Sequence, residues 1–210
     1  MSKLIDLSYP IHSDMPVYPG SDPPMIKPVA KVANDGYLEH CVSFYTHTGT
    51  HLDAPAHILD GGNTVDAYAC EKFYGSAVIV DCKNVQKIEL GEVQNAYKEN
   101  GNPDFLLFYT GWADRWGTEA YYHDFPVLTE EATGYLCTLP LKGVGIDAIS
   151  FDPFGDEELV NHHLLLEQEI ILVENLRSLK QLLSKEFNFS CLPLRIKGVD
   201  GFPVRAVGIL

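Results

Sequence analysis

The 210-residue chain is 46% hydrophobic and 21% charged, enough apolar material to bury one sizeable core, and 1–210 reads as a single domain. Its formal charge of −14 excludes two classes of partner. Sequence-independent nucleic-acid binding needs Lys and Arg to displace counterions from phosphates, and contact with an anionic membrane surface needs a polybasic patch.

The opening MSKLIDLSYPI lacks a long apolar core followed by a small-residue cleavage site, and no apolar run reaches membrane-spanning length, so a cytoplasmic protein is expected. Cysteines 41, 70, 82, 137 and 191 are widely spaced and odd in number, with no CxxC pair, so a disulfide framework is not expected and most of them read as packed thiols.

The first 70 residues, rich in Pro, Gly, Ser and Asp with short strands at LIDLSYP and CVSFYTH, read as a β-rich entry region carrying functional loops. Beyond them, SAVIVDC (76–82), DFLLFYT (104–110), GVGIDAI (143–149) and IILVE (170–174) are apolar runs expected to be buried strands. The two glycines of GVGIDA lack the rest of a dinucleotide fingerprint and are expected in strand-edge backbone. Helices are expected over 90–99, over 129–137 with Thr129 as N-cap, over 161–168 with Asn161 as cap, and near 176–184. SCLPLRI and PVRAVGIL read as closing strands. This alternation of strands and helices gives an α/β fold.

HTGTHLDAPAH, residues 47–57, sets three histidines and an aspartate inside eleven residues. His47, His51 and Asp53 are the ligand types divalent transition metals take. Thr48, Gly49, Thr50 and Pro55 make the stretch a poor helix. In a straight strand the two outer ligand histidines would stand about 13 Å apart at ~3.3 Å per residue. The chain must therefore bend, and Gly49 is the residue to bend it. Pro55 then stiffens the exit and sets His57 close to the ions. Downstream, His162 and His163 lie in one helix candidate, and Glu174 ends a buried strand, where its charge needs a metal ion, an arginine such as Arg177 or a helix terminus to compensate it.

Together with HH and ENL downstream, the HxGTHxDxPxH pattern resembles the cyclase family of metal-dependent hydrolases. YPGSDP, TGW, GIDAISFDP and PLRIKGVDGFPVRAV extend the likeness nearly end to end. The resemblance implies a swivelling β/β/α domain, assembled as a homodimer or higher oligomer, binding zinc, with two ions per subunit possible, or manganese. Residue by residue, it implies that His47, His51 and Asp53 hold one ion and that Asp53 reaches a second. It makes His162 and Glu174 the remaining ligands and His57 the catalytic histidine.

The implied reaction is hydrolysis of a small amide, an aryl formamide such as N-formylkynurenine first and an isatin-like lactam second. Tyr18 stands where formylkynurenine hydrolases commonly carry a tryptophan, and offers an aromatic face and a hydroxyl to substrate. Phe44, Tyr45, Trp112 and Phe151 are further candidates for the pocket wall, each with a competing place in the core. A non-catalytic binding protein on the same scaffold is the alternative; a structural zinc site, usually cysteine-rich and closed, fits poorly.

Overall fold

The computed structural model describes residues 3–210. Its strands in chain order are β1 (Leu4–Asp6), β2 (Met25–Ala30), β3 (Glu39–Ser43), β4 (His51–Asp53), β5 (Tyr74–Asp81), β6 (Lys87–Ile88), β7 (Phe105–Tyr109), β8 (Val127–Leu128), β9 (Gly143–Ile146), β10 (Ile171–Glu174), β11 (Phe187–Ser190), β12 (Gly201–Pro203) and β13 (Val207–Ile209). The helices are α1 (Val32–Asp35), α2 (Leu90–Glu99), α3 (Glu130–Leu136) and α4 (Val160–Glu167). Nine strands form one sheet in the order β1-β13-β11-β5-β7-β9-β10-β4-β12. Its middle, β5-β7-β9-β10, is parallel, and its flanks are antiparallel.

A parallel sheet covered on both faces reads as continuous apolar runs, and β7 is the case in point. Leu106 and Phe108 pack with Val93, Leu136 and Leu165 on the helical side. Phe105, Leu107 and Tyr109 pack with Leu179, Leu182 and Phe189 on the other. The α/β architecture is thus as expected, and the four buried runs are β5, β7, β9 and β10.

Four local expectations are corrected. The glycine-containing β9 lies inside the sheet between β7 and β10, not at an edge. The segment near 176–184 gives one 3-10 turn, Leu179–Leu182, because Ser178 before it and Ser184 after it take left-handed φ values of 60° and 55°, breaking any longer helix. SCLPLRI is irregular past Ser190. Asn161 does not cap α4: Leu159 holds the cap position, and Asn161 sits inside the first turn, its amide bonded to Phe151 O at 2.9 Å and its Oδ1 accepting from Thr133 Oγ1 at 2.6 Å. The expected cap of α3 is present, Thr129 Oγ1 accepting from Ala132 N.

The hairpin β2–β3 stands apart, with every residue except Ala30 exposed. Among the described residues no helix is long and apolar enough to cross a membrane.

Candidate metal centre

Strand β4 is HLD, and the two-residue period of a strand puts His51 and Asp53 on one face. Antiparallel pairing with β10 sets Glu174 opposite His51, and pairing with β12 sets Gly201 opposite Asp53. Helix α4 brings His162 over the same face. The result is a closed set of four buried side chains. His51 Nε2 lies 3.3 Å from Asp53 Oδ1 and 3.5 Å from Glu174 Oε2. His162 Nε2 lies 3.3 Å from Glu174 Oε1 and 3.7 Å from Asp53 Oδ2.

These separations decide what the set is for. They are long for hydrogen bonds, and Asp53 Oδ2 is buried with no hydrogen-bond partner among the described residues. Two ligands about 2.1 Å from one ion at a tetrahedral angle stand about 3.4 Å apart, and the four spacings bracket that value. Both histidines are also oriented from behind. His51 Nδ1 is 2.8 Å from Gly49 O, and His162 Nδ1 is 2.6 Å from Asp152 Oδ2, so each ring is aimed through Nε2. The donor set fits a divalent ion.

His47 meets the set at Asp53. The bend expected at Gly49 is present, with φ of +63°, and a Cβ there would meet Met15 Cε at 2.9 Å. Beyond the bend, His47 Nδ1 lies 2.6 Å from Asp53 Oδ1 and Nε2 lies 2.8 Å from Asp200 Oδ2. A second ligand-like group therefore forms from His47, Asp53 and His57, sharing Asp53 with the first. Pro55 opens the 3-10 turn Pro55–His57, which delivers His57 against His47 with ring centroids 4.0 Å apart. His57 Nδ1 faces Asp200 Oδ2 at 3.3 Å. Glu174 is not engaged by Arg177, whose guanidinium lies 5.4 Å from the Tyr9 ring; its Oε1 accepts from Phe151 N.

The electrostatics follow from this crowding of carboxylates and imidazoles. Burial opposes ionisation of Asp53, yet the neighbouring His47 and His51 rings outweigh it and hold the carboxyl well below its usual range. Burial also opposes charge on His47 and His162. The first is nevertheless pushed up to about 10 by Asp53 and Asp200, and the second to about 10 by Asp152, Glu174 and Asp53. His57 goes the other way: burial, with His47 and His162 nearby, lowers it and keeps the ring neutral at pH 7.

Above this set lies a cavity of about 470 Å³ whose lining includes His47, His51, His57, His162 and Glu174 together with Tyr18, Tyr45, Trp116 and Ile149. Tyr18 is 43% exposed and packs at 5.5 Å against Phe154. Of the other aromatic candidates, Tyr45 lines the cavity, whereas Trp112 and Phe151 are core residues. Phe44 packs on Phe202 outside the cavity lining.

Sequence reasoning passed over Asp152, Asp200 and Trp116. The aspartates lie within GIDAISFDP and GVDGFPV, and nothing local distinguishes them from surface acids, because their partners are ten or more residues away in sequence.

The Cyclase family model matches residues 5–153. The chain belongs to the cyclase family. A kynurenine formamidase of Bacillus mycoides is 30% identical over 207 residues, covering 98% of this chain and 97% of its own. One from Bacillus cereus is 30% identical over 211 residues with the same coverage. Isatin hydrolase A from Labrenzia aggregata, solved with benzyl benzoate, superposes with a TM-score of 0.87 at 24% identity, covering 100% of this chain and 94% of that one. A structure described as a potential metal-dependent hydrolase with cyclase activity gives 0.82 at 28% identity, covering 100% and 98%. The chain is accordingly a metal-dependent amidohydrolase, with the α/β fold of cyclase-family structures.

Proposed function

We propose that the chain is an arylformamidase that hydrolyses N-formylkynurenine to kynurenine and formate. The observation that carries this reading is the cavity of about 470 Å³, with aromatic walls and a floor of metal-ligand side chains. The volume suits one aromatic ring with a short polar side chain. The full-length likeness to kynurenine formamidases points to the formamide.

His51, Asp53, His162 and Glu174 would hold one zinc ion. His47 would hold a second with Asp53, and manganese is the alternative metal, since imidazole and carboxylate suit both. A bound ion supplies Lewis acidity, lowering the pKa of a water toward ~7 and polarising the substrate carbonyl.

The protein's own groups do the rest. Tyr18, Tyr45 and Trp116, which line the cavity, would contact the aryl ring, with the formyl group toward the floor. The water oxygen adds to the formyl carbon while neutral His57 takes its proton. His57 then gives that proton to the departing aryl nitrogen as the C–N bond breaks. Asp53 and Glu174, held at fixed positions by β4 and β10, would keep the ion in place beneath the reacting end.

The deciding experiment is the rate of N-formylkynurenine hydrolysis by zinc-loaded and manganese-loaded protein, each against chelator-treated protein, with isatin as the second substrate. Chelator-sensitive turnover of the formamide supports the reading. Turnover of isatin alone moves the substrate to a lactam, and turnover of neither, with metal bound, leaves a binding protein.

The same proposal includes a homodimer or higher oligomer. The exposed hairpin β2–β3 supports it: Ile26 and Val42 pair across the strands and both are exposed, and a lone two-stranded ribbon is marginal in water.

A further inference from the structure

Asp200 has no part in the reaction as written above, yet it joins the two histidines that flank the cavity. Its main chain is pinned to the ligand-bearing strand, its carbonyl accepting from Ala54 N at 2.8 Å. The next residue, Gly201, pairs with Asp53, and a Cβ at Gly201 would meet Leu52 O at 2.6 Å and His47 Cε1 at 2.7 Å. The backbone at 200–201 therefore cannot shift without moving β4 or His47.

The side chain is equally constrained. Its Oδ1 accepts from Thr46 Oγ1 at 3.1 Å. That leaves Oδ2 facing His47 Nε2 at 2.8 Å and His57 Nδ1 at 3.3 Å.

We propose that Asp200 is a positioning residue that fixes the tautomer and orientation of His57. An ionised carboxylate only accepts hydrogen bonds, so the ring nitrogen facing it must carry the hydrogen. His57 is thereby held with Nδ1–H toward Asp200 and its lone pair on Nε2, the nitrogen with no hydrogen-bond partner among the described residues. A ring free to exchange tautomers would present N–H in place of the lone pair for part of the time and could not take a proton then. The consequence for turnover rests on the amide-hydrolase reading; the tautomer does not.

The test compares zinc-loaded wild type, Asp200→Asn and Thr46→Val, each labelled with ¹⁵N-histidine. Long-range ¹H–¹⁵N correlation spectra at one fixed pH give the His57 tautomer, assigned by the loss of its signals in His57→Gln. Kinetics on N-formylkynurenine and zinc content are measured on the same samples.

The expected result is an Nδ1–H His57 in wild type and a mixed or Nε2–H ring in Asp200→Asn. Assayed with zinc in excess so that occupancy equals that of wild type, that variant should lose kcat by a factor on the order of 10²–10⁴, with KM within about threefold. Thr46→Val frees only one carboxylate oxygen and should show a smaller shift and a several-fold loss, and it carries the test if Asp200→Asn does not fold. An unchanged tautomer in the variants, or a loss of activity that tracks loss of zinc, overturns the proposal. If wild type turns over no formamide, the functional reading fails while the spectra still decide Asp200.

Discussion

Asp152 holds His162 at two points with one oxygen: Oδ2 accepts from the His162 main-chain N at 3.0 Å and faces its ring Nδ1 at 2.6 Å. Oδ1 accepts from Asn161 N at 2.9 Å. One carboxylate from a neighbouring segment thus satisfies two orphan donors of the α4 terminus, the capping role expected of Asn161, and also aims the ring at the candidate metal site. Asp152→Ala should lower metal affinity by about 10–100-fold, as loss of such a supporting carboxylate typically does, measurable by competition with a chromogenic chelator. Affinity within twofold of wild type would show that packing alone orients His162.

His57 is expected to be dispensable for metal binding, although it stands with His47 and Asp53 in the second ligand-like group. It is neutral at pH 7, partly exposed, and set by a turn of its own rather than by the sheet. His57→Ala should reduce kcat by a factor on the order of 10²–10⁴ while metal stoichiometry stays at the wild-type value. Wild-type turnover in that variant would remove the acid/base role, and loss of metal would make His57 a ligand.

The legible parts of the protein were those whose physics is local. Continuous apolar runs gave β5, β7, β9 and β10, a helix-period stretch ending at Asn100 and Gly101 gave α2, and Thr129 marked the start of α3. In the candidate site, the Gly49 bend was readable because a positive φ is a property of a few neighbouring residues. What escaped was set by distant partners. Asp200 meets His47 from 153 residues away, and Asp152 replaced Asn161 as the cap because its segment passes the helix end. The meeting of Glu174 with His51 likewise depends on the register of β4 against β10, which no single stretch encodes.

Metal should be a large part of this protein's stability. Asp53 and Glu174 are 1% and 5% exposed, and Asp53 Oδ2 has no hydrogen-bond partner among the described residues. An ion bound by the folded state alone, present at about a thousand times its Kd, contributes about 4 kcal/mol. For a chain of this size that corresponds to a fall in Tm on the order of 10 °C when a chelator removes it. Calorimetry with and without chelator, followed by restoration with zinc, checks this; a Tm unchanged by chelation that demonstrably empties the site would contradict it.

Asp147 gives the fold a pH dependence of unusual sign for a carboxylate. It is 1% exposed, and burial pushes it up from 3.8 to about 6, although Thr110 N, Thr110 Oγ1 and Gly111 N all donate to it. The folded state therefore holds this proton more tightly than the unfolded chain. Its contribution is full below pH 3.8 and is lost as pH rises through about 6, a difference of up to about 3 kcal/mol. Asp147→Asn cannot ionise, so the stability of wild type relative to Asp147→Asn should decline between pH 4 and pH 7. Denaturant unfolding of both proteins across that range measures it, and a constant difference would show that the three donors cancel the cost of burial.

The hairpin β2–β3 makes the last prediction. Its exposed apolar side chains include Ile26 at 37%, Val29 at 55% and Val42 at 49%, and Val32, Tyr37 and Leu38 continue the patch at its tip with 65%, 57% and 60%. Exposed apolar side chains gathered on one ribbon mark an interaction face, and the ribbon lies between the cavity residues Tyr18 and Tyr45 in sequence. Val29→Glu combined with Val42→Glu should leave the domain folded, because neither side chain touches its core, while converting a dimer or larger assembly to monomer. Light scattering coupled to size-exclusion chromatography reads the mass directly. A wild-type protein that runs as a monomer at micromolar concentration, or an assembly unaffected by both charges, would rule out this ribbon as the contact.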